Sequence, residues 1–229
     1  MRRCGLAMNK LYIMKKALWV EPSPNDPDAL AALKAEFPGR SARRMTRLGM
    51  QMSHVLRGMS LSEESSLVYA TRFSETQTIE KFLGSFPFPS PQAFQTSIHP
   101  GGVEQFLIQN KQSIREFFPL AGGTDLLFRA LQTAMLCRGS RIIICGGEET
   151  GTWLQEAGAS SESNYAWALE LTGAAKASEN VLGRLTWIEL AGAEGASELL
   201  PDFFTALQNS KPYRYRSAEG SELELNWSE

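Results

Sequence analysis

The 229-residue chain is poor in the residues that most often mark a reactive site. It has three cysteines, Cys4, Cys137 and Cys145, with no C-x-x-C spacing. That argues against a disulfide framework and against a zinc site, and it fits a reducing cytoplasm. It has two histidines, His54 and His99, so few candidates exist for a general base near neutral pH. No apolar run approaches the roughly 18 residues that a membrane helix needs. Basic residues precede apolar ones at the N-terminus, but Asn9, Lys10, Lys15 and Lys16 interrupt any hydrophobic region of a signal peptide. Neither sign of charge dominates. The net charge is −2, so a nucleic-acid-binding surface is not indicated. No Walker motif and no G-x-G-x-x-G occurs anywhere.

What remains is an ordinary globular composition, 43% hydrophobic and 21% charged, long enough for one large domain or a domain with an elaboration. LYIMKKALWV reads as a first strand. Asp26-Pro27 opens a short helix to about Phe37, with proline at an early helical position. Ser41 is placed to cap a second helix, about 42–57, with Met45, Leu48, Met52 and Val55 at helical spacing. The cluster RSARRMTR, Arg40 to Arg47, then reads as that helix's solvated face. SSLVYATRF is a buried-type strand, and Ser74 is placed to cap the helix that follows. A helix is expected from about Gly101 to Asn110, a short strand over 117–121 and a helix over 125–138. RIIICGGEE is a continuous apolar strand of the kind covered on both faces.

The first 150 residues therefore alternate as an α/β layered domain with a mixed, mostly parallel sheet. Beyond them lie a polar loop over 151–164, the strands YAWALELT and RLTWIEL, a helix at about 197–209, and a hairpin around Glu219-Gly220.

FPLAGGTDLLFRALQ places a tight turn, Gly122-Gly123-Thr124, between strand and helix. Such a turn can cradle a phosphate or seat a nucleophile. The simpler reading is a turn whose backbone angles only glycine tolerates. Thr124 would need a base within reach. His54 reads as a surface or packing residue, and His99 as either a working residue or one capping a turn. Cys137 and Cys145 sit in apolar surroundings that make a thiol inert. Glu148-Glu149, after CGG at a strand end, could do acid–base or metal work, but read more simply as a solvated loop. Met45, Met50, Met52 and Met59 read as core or as a partner-facing stripe.

Four of these pieces occur together and in order: SARRMTRLGMQMSHVL, SLVYATRFSETQTIEKFL, SPQAFQTSIHPGGVEQFLIQN and PLAGGTDLLFRALQTAMLCRGSRIIICGGEE. The set resembles the amino-terminal half of a β-ketoacyl synthase. It is similar above all to the short, chain-length-factor-like ketosynthase relatives of aryl-polyene and related fatty-acid or polyketide gene clusters. The resemblance spans about Lys10 to Glu149. It implies an α/β thiolase-like half-sandwich, a five-stranded mixed sheet flanked by helices, in a domain over 9–175. An extension over 181–229 would pack on the same domain and cover the face that a second half would bury.

The family's nucleophilic cysteine stands on an elbow that corresponds here to Ala121-Gly122-Gly123-Thr124, where no cysteine occurs. The family's two catalytic histidines belong to its carboxyl-terminal half and have no counterpart here, and His99 matches a histidine outside that set. The resemblance thus implies no catalytic set and no cofactor or metal. It also implies a dimer-forming strand over Glu116–Ala121 carrying Phe117, Phe118 and Leu120. The implied partner is a full-length ketosynthase, together with an acyl carrier protein or acyl chain. Two alternatives stand beside this reading. One is an enzyme of different chemistry built on Thr124, His99 and Glu148. The other is a self-associating module that binds acyl chains or a carrier protein.

Overall fold

A computed structural model describes residues 10–23, 26–123, 125–176, 179–189, 200–217 and 221–228. Its centre is a single mixed sheet. The strands are β1 (Lys10–Val20), β2 (Ser65–Thr71), β3 (Glu116–Ala121), β4 (Arg141–Glu148), β5 (Tyr165–Thr172), β6 (Gly183–Glu189), β7 (Tyr213–Arg216) and β8 (Ser221–Trp227). They lie in the order β3-β2-β4-β5-β1-β6-β8-β7. β2 runs parallel to β3 and β4, and every other pairing is antiparallel.

The five strands expected for the half-sandwich form one side of this sheet. The last three do not form a separate layer but continue it, so it has eight strands rather than five. Strand length explains this. β1 pairs β5 over Tyr12–Val20, but Lys10–Ile13 also face β6, with a register shift between Ile13 and Lys15. The first residues on the far edge of β1 are thereby paired, over Lys10–Ile13.

Helices lie on both faces. They are α1 (Pro27–Ala35), α2 (Gly39–Ala42), α3 (Arg47–Leu56), α4 (Thr76–Leu83), α5 (Pro91–Ser97), α6 (Gly101–Gln109), α7 (Leu126–Leu136), α8 (Trp153–Glu156) and α9 (Leu200–Asn209). Strand alternation divides the core. Leu67 and Tyr69 of β2, Ile143 and Cys145 of β4, and Ala166 and Ala168 of β5 meet Leu48, Met52, Val103 and Phe106 of α3 and α6. Val68, Ile142, Ile144, Trp167 and Leu169 point the other way, to Leu127, Phe128 and Leu131 of α7 and Phe203 and Leu207 of α9. Each fully buried side chain of this size contributes about 1.5–3 kcal/mol.

Several local expectations change. The helix expected over 42–57 breaks in two. Thr46, not Ser41, caps α3, its hydroxyl accepting the Gly49 N–H at 2.8 Å. The break turns Arg47 inward, where it is buried and pairs with buried Glu21, while Arg40, Arg43 and Arg44 remain exposed. The cluster is therefore a solvated face in part only. Ser74 does not cap α4. Its φ is 60°, and its hydroxyl donates instead to the Glu75 carboxylate. The loop over 151–164 contains the short α8, and α5, capped by Ser90, adds a helix among the prolines. Met45 and Met50 pack with Leu33, and Met52 lies in the α3–α6 cluster, so these methionines are core. The hairpin turn at Glu219-Gly220 and residues 197–199 of the expected last helix lie outside the described residues.

Candidate functional site

β3 ends at Ala121 and α7 begins at Leu126, and the turn between them is the elbow. Ala121, Gly122 and Gly123 are exposed, and Thr124 lies outside the described residues. Neither glycine is demanded by geometry. A Cβ on Gly123 would meet nothing within 4 Å, one on Gly122 only Leu126 Cδ1 at 3.8 Å, and neither takes a positive φ. The left-handed residue is Asp125, at φ 67°. Its carboxylate accepts a hydrogen bond from the Tyr215 hydroxyl of β7, so the extension reaches across the sheet face and holds the elbow. Tyr215 also packs against Phe128 of α7, with ring centroids 5.5 Å apart.

The elbow opens on a cavity of about 840 Å3 at the carboxyl ends of β2 and β4. Leu126, Leu127, Tyr165, Trp167 and Phe204 give it an apolar wall, and Gly123, Arg72 and Glu148 lie around it. Glu148 is already engaged. Its buried carboxylate accepts from the backbone N–H groups of Arg72, of Phe73 at 2.8 Å and of Ser74 at 2.9 Å. Burial holds its pKa above the usual carboxylate range, against those hydrogen bonds.

Glu148 and Glu149 are thus not solvated loop residues. Glu149 is fully buried and accepts from Leu48 N at 2.6 Å and Gln77 N at 3.1 Å, fastening the first turns of α3 and α4. Burial raises its pKa to about 7. Glu75, also fully buried, is raised to about 8 by desolvation, opposed by the Ser74 hydroxyl and raised further by the Glu149 charge. At neutral pH Glu75 is largely a neutral carboxylic acid. Three buried carboxyls therefore close the strand ends. No sequence signal singles out Glu75, because the backbone groups around these carboxyls come from segments far apart in the chain.

His99 does not join the elbow. It stacks on Tyr69, at 5.3 Å between centroids and 17° between planes, on the α3–α6 face of the sheet. Burial lowers its pKa, and neither ring nitrogen has a hydrogen-bond partner among the described residues. His99 and the elbow cavity thus lie on opposite faces. His54 pairs with Glu36 on the surface at 2.8 Å. Cys137 closes α7, and burial pushes its thiol up to about 11; Cys145 is enclosed in β4 and its thiol is raised further. Neither reaches the elbow, and Cys4 lies outside the described residues. Among the described residues no cluster of three or more His, Cys, Asp or Glu could hold a metal ion. No described helix is long and apolar enough to cross a membrane.

A half-sheet whose elbow helix lies on the face opposite α3 and α6 is the thiolase-like fold of β-ketoacyl synthases, and this chain has that fold. It is similar to a chain of the ketosynthase (ApeO) in complex with its chain length factor (ApeC) from Xenorhabdus doucetiae. There the TM-score is 0.62 and the identity 16%, over 95% of this chain and 99% of that one. It is also similar to a β-ketoacyl synthase from Burkholderia phymatum STM815, with a TM-score of 0.56 and 14% identity, over 88% of this chain and 69% of that one. No family model and no curated protein sequence matches the chain.

Proposed function

We propose that the chain is a ketosynthase-like subunit without condensing chemistry of its own. It pairs with a full-length ketosynthase and helps set acyl chain length in fatty-acid, aryl-polyene or polyketide biosynthesis. One observation carries this reading: the described elbow residues, Ala121, Gly122, Gly123 and Asp125, include no cysteine, on a fold whose elbow is otherwise intact. Condensation needs a thiolate to hold the acyl group and a base and oxyanion donors for the malonyl unit. Glu148 is committed to three backbone N–H groups, and His99 lies across the sheet. The near end-to-end match to one chain of a ketosynthase and chain-length-factor assembly supports the same reading.

Pairing runs through β3, which ends the sheet with one side free among the described residues. Phe117, Phe118 and Leu120 are half-buried and pack partly on their own core, so the strand backbone is what a partner receives. The test is co-expression with a ketosynthase from the same gene cluster, followed by size-exclusion chromatography. Co-elution is expected. Ala121→Asp, an exposed change at the strand end, should weaken it about tenfold or more while leaving thermal stability unchanged. Failure to co-elute with any ketosynthase overturns the reading.

The elbow cavity favours a second reading, a self-associating module that holds an acyl chain. Its size and apolar wall suit such a ligand. A purified homodimer carrying lipid detectable by native mass spectrometry, with no affinity for a ketosynthase, would favour it.

A further inference from the structure

Three polar side chains that the proposed function does not use meet under the start of α6. Tyr69 comes from β2, Glu75 from the N-cap of α4, and His99 from the turn between α5 and α6. Tyr69 and Glu75 are fully buried. Tyr69 Oη, Glu75 Oε1 and both ring nitrogens of His99 are enclosed without a hydrogen-bond partner among the described residues. The chain enters α6 over them on Gly101 and Gly102. A Cβ on Gly102 would lie 3.0 Å from Glu75 Oε1 and 3.1 Å from Tyr69 Oη, so the two oxygens face the same bare Cα and are no more than about 6 Å apart. The Ser74 hydroxyl stands beside both, but its one proton goes to Glu75 Oε2. The Gly102 N–H is turned toward the carboxyl without closing on Oε1. His99 is stacked on Tyr69 with 17° between the ring planes. A phenol O–H lies in the plane of its own ring, so it does not donate across that stack to the imidazole.

We infer that Tyr69, Glu75 and His99 form a proton-sharing site that binds enclosed water, which links all three. The count of donors and acceptors supports this. At neutral pH Glu75 is largely a carboxylic acid, and burial keeps the His99 imidazole neutral. Oε2 accepts from Ser74, so the acid proton stands on Oε1. The site then offers three donors, the Glu75 O–H, the Tyr69 O–H and one imidazole N–H, with the other imidazole nitrogen as an acceptor. Water accepts from two of these donors and donates to that nitrogen. A buried water makes about three such bonds, and polar groups left dry forfeit them. The two glycines leave the room, and Leu48 Cγ, 3.0 Å from the same Cβ position on Gly102, helps to close it, so the ligand is water and not a larger polar molecule. The other titratable groups around the site are Glu148 and Glu149 at the end of β4 and the enclosed Cys145 thiol. Within the site Glu75 gives up its proton first as pH rises, because burial pushes the Tyr69 hydroxyl well above its ordinary value. His99 is the partly exposed member, so that proton reaches solvent by way of the water and the imidazole.

The test combines a crystal structure of the full chain with nitrogen NMR of its histidine rings as pH is varied. Density is expected for an enclosed water within hydrogen-bonding distance of Tyr69 Oη and Glu75 Oε1. His99 should stay a neutral imidazole across neutral pH and still change its shift in a step near pH 8, because shared protons titrate as a property of the group. Glu75→Gln should abolish that step. Tyr69→Phe keeps the ring stack and removes one partner of the water, so it should fold, lose the water's density and shrink the step. His54, paired with Glu36 on the surface, is the internal reference, and its behaviour should be the same in every variant. Gly102→Ala places a methyl against both oxygens and should expel the water. Direct bonding among Tyr69, Glu75 and His99 with no enclosed water overturns the inference. So does a His99 titration left unchanged by Glu75→Gln or, should that variant fail to fold, by Tyr69→Phe. A water that persists unmoved in Gly102→Ala overturns it as well.

Discussion

The two edges of the sheet are built in opposite ways. β7 is four residues long, and its Arg214 and Arg216 are tied to Glu222 and Glu224 of β8, with Arg214 Nε 3.3 Å from Glu222 Oε1. A short strand laced with charge is a poor template for another chain. β3 is EFFPLA, with its one charged residue, Glu116, engaged by the Ser66 hydroxyl at 2.6 Å and by Arg138 N at 3.2 Å. Pro119 removes one donor, and the rest of the strand is unguarded. The extension thus finishes the sheet at one end, while at the elbow end no further strand lies beside β3 among the described residues.

If the extension is what closes the sheet, removing it should have the largest effect. Deleting 181–229 strips β6 from β1 and exposes the surface against which Leu185, Phe203, Leu207, Leu223 and Leu225 are buried. The expected product is aggregate in place of monomer, read by light scattering. A soluble, folded truncation would show that the first five strands need no cover.

A single residue sharpens the same point. Phe203 is fully buried and packs edge-on against Trp167 at 5.1 Å and against Tyr213 at 5.5 Å, joining α9 to β5 and β7. Phe203→Ala should cost about 3–5 kcal/mol in urea unfolding. Phe118→Ala, at the half-buried open edge, should cost clearly less. Equal losses would mean that the two edges contribute alike to stability.

The carboxyl groups beside the elbow end add a pH dependence of stability. Glu75 has a folded pKa of about 8 and Glu149 of about 7, both raised by burial from 4.5. Between about pH 5 and those values the unfolded chain has lost protons that the folded chain keeps. Their contribution is therefore complete below the unfolded pKa and is lost as pH rises through the folded pKa. Each group removes about 1.4 kcal/mol of stability per pH unit in its window. Urea midpoints measured across neutral pH should fall with rising pH, and Glu75→Gln should flatten the fall above about pH 7. An unchanged slope in the variant would show that Glu75 is ionised in the folded protein.

Much of the elbow half was legible in sequence because its signals are local. RIIICGGEE and YAWALELT are contiguous apolar runs, and each became a covered strand. The strand, turn and helix at the elbow could also be placed from residue pattern. What escaped depends on distant partners. Nothing adjacent to Arg47 distinguishes it from Arg43 or Arg44, and its burial is decided by Glu21. Glu148 and Glu149 looked like solvent-facing residues because the N–H groups they receive come from Leu48, Arg72, Phe73, Ser74 and Gln77. Likewise YRYR and ELEL announce a hairpin but not its place at the end of an eight-stranded sheet.

The smallest expected effect tests whether that end is guarded by charge. Arg214 and Arg216 are about half exposed, and exposed ion pairs are worth only about 0–1 kcal/mol, but Glu222, which both contact, is buried. Replacing both with alanine should lower the unfolding midpoint modestly, by less than Phe203→Ala. It should still leave Glu222 and Glu224 without counter-charges and remove the cationic side chains from the edge. Guarding by arginine then predicts slow, concentration-dependent self-association of the double variant, detected by sedimentation. Guarding by strand length alone predicts a monomer, because four residues offer too little backbone to pair whatever their charge. Ala121→Asp combined with the double variant separates the two edges. Self-association that persists runs through β7, and self-association that disappears was running through β3.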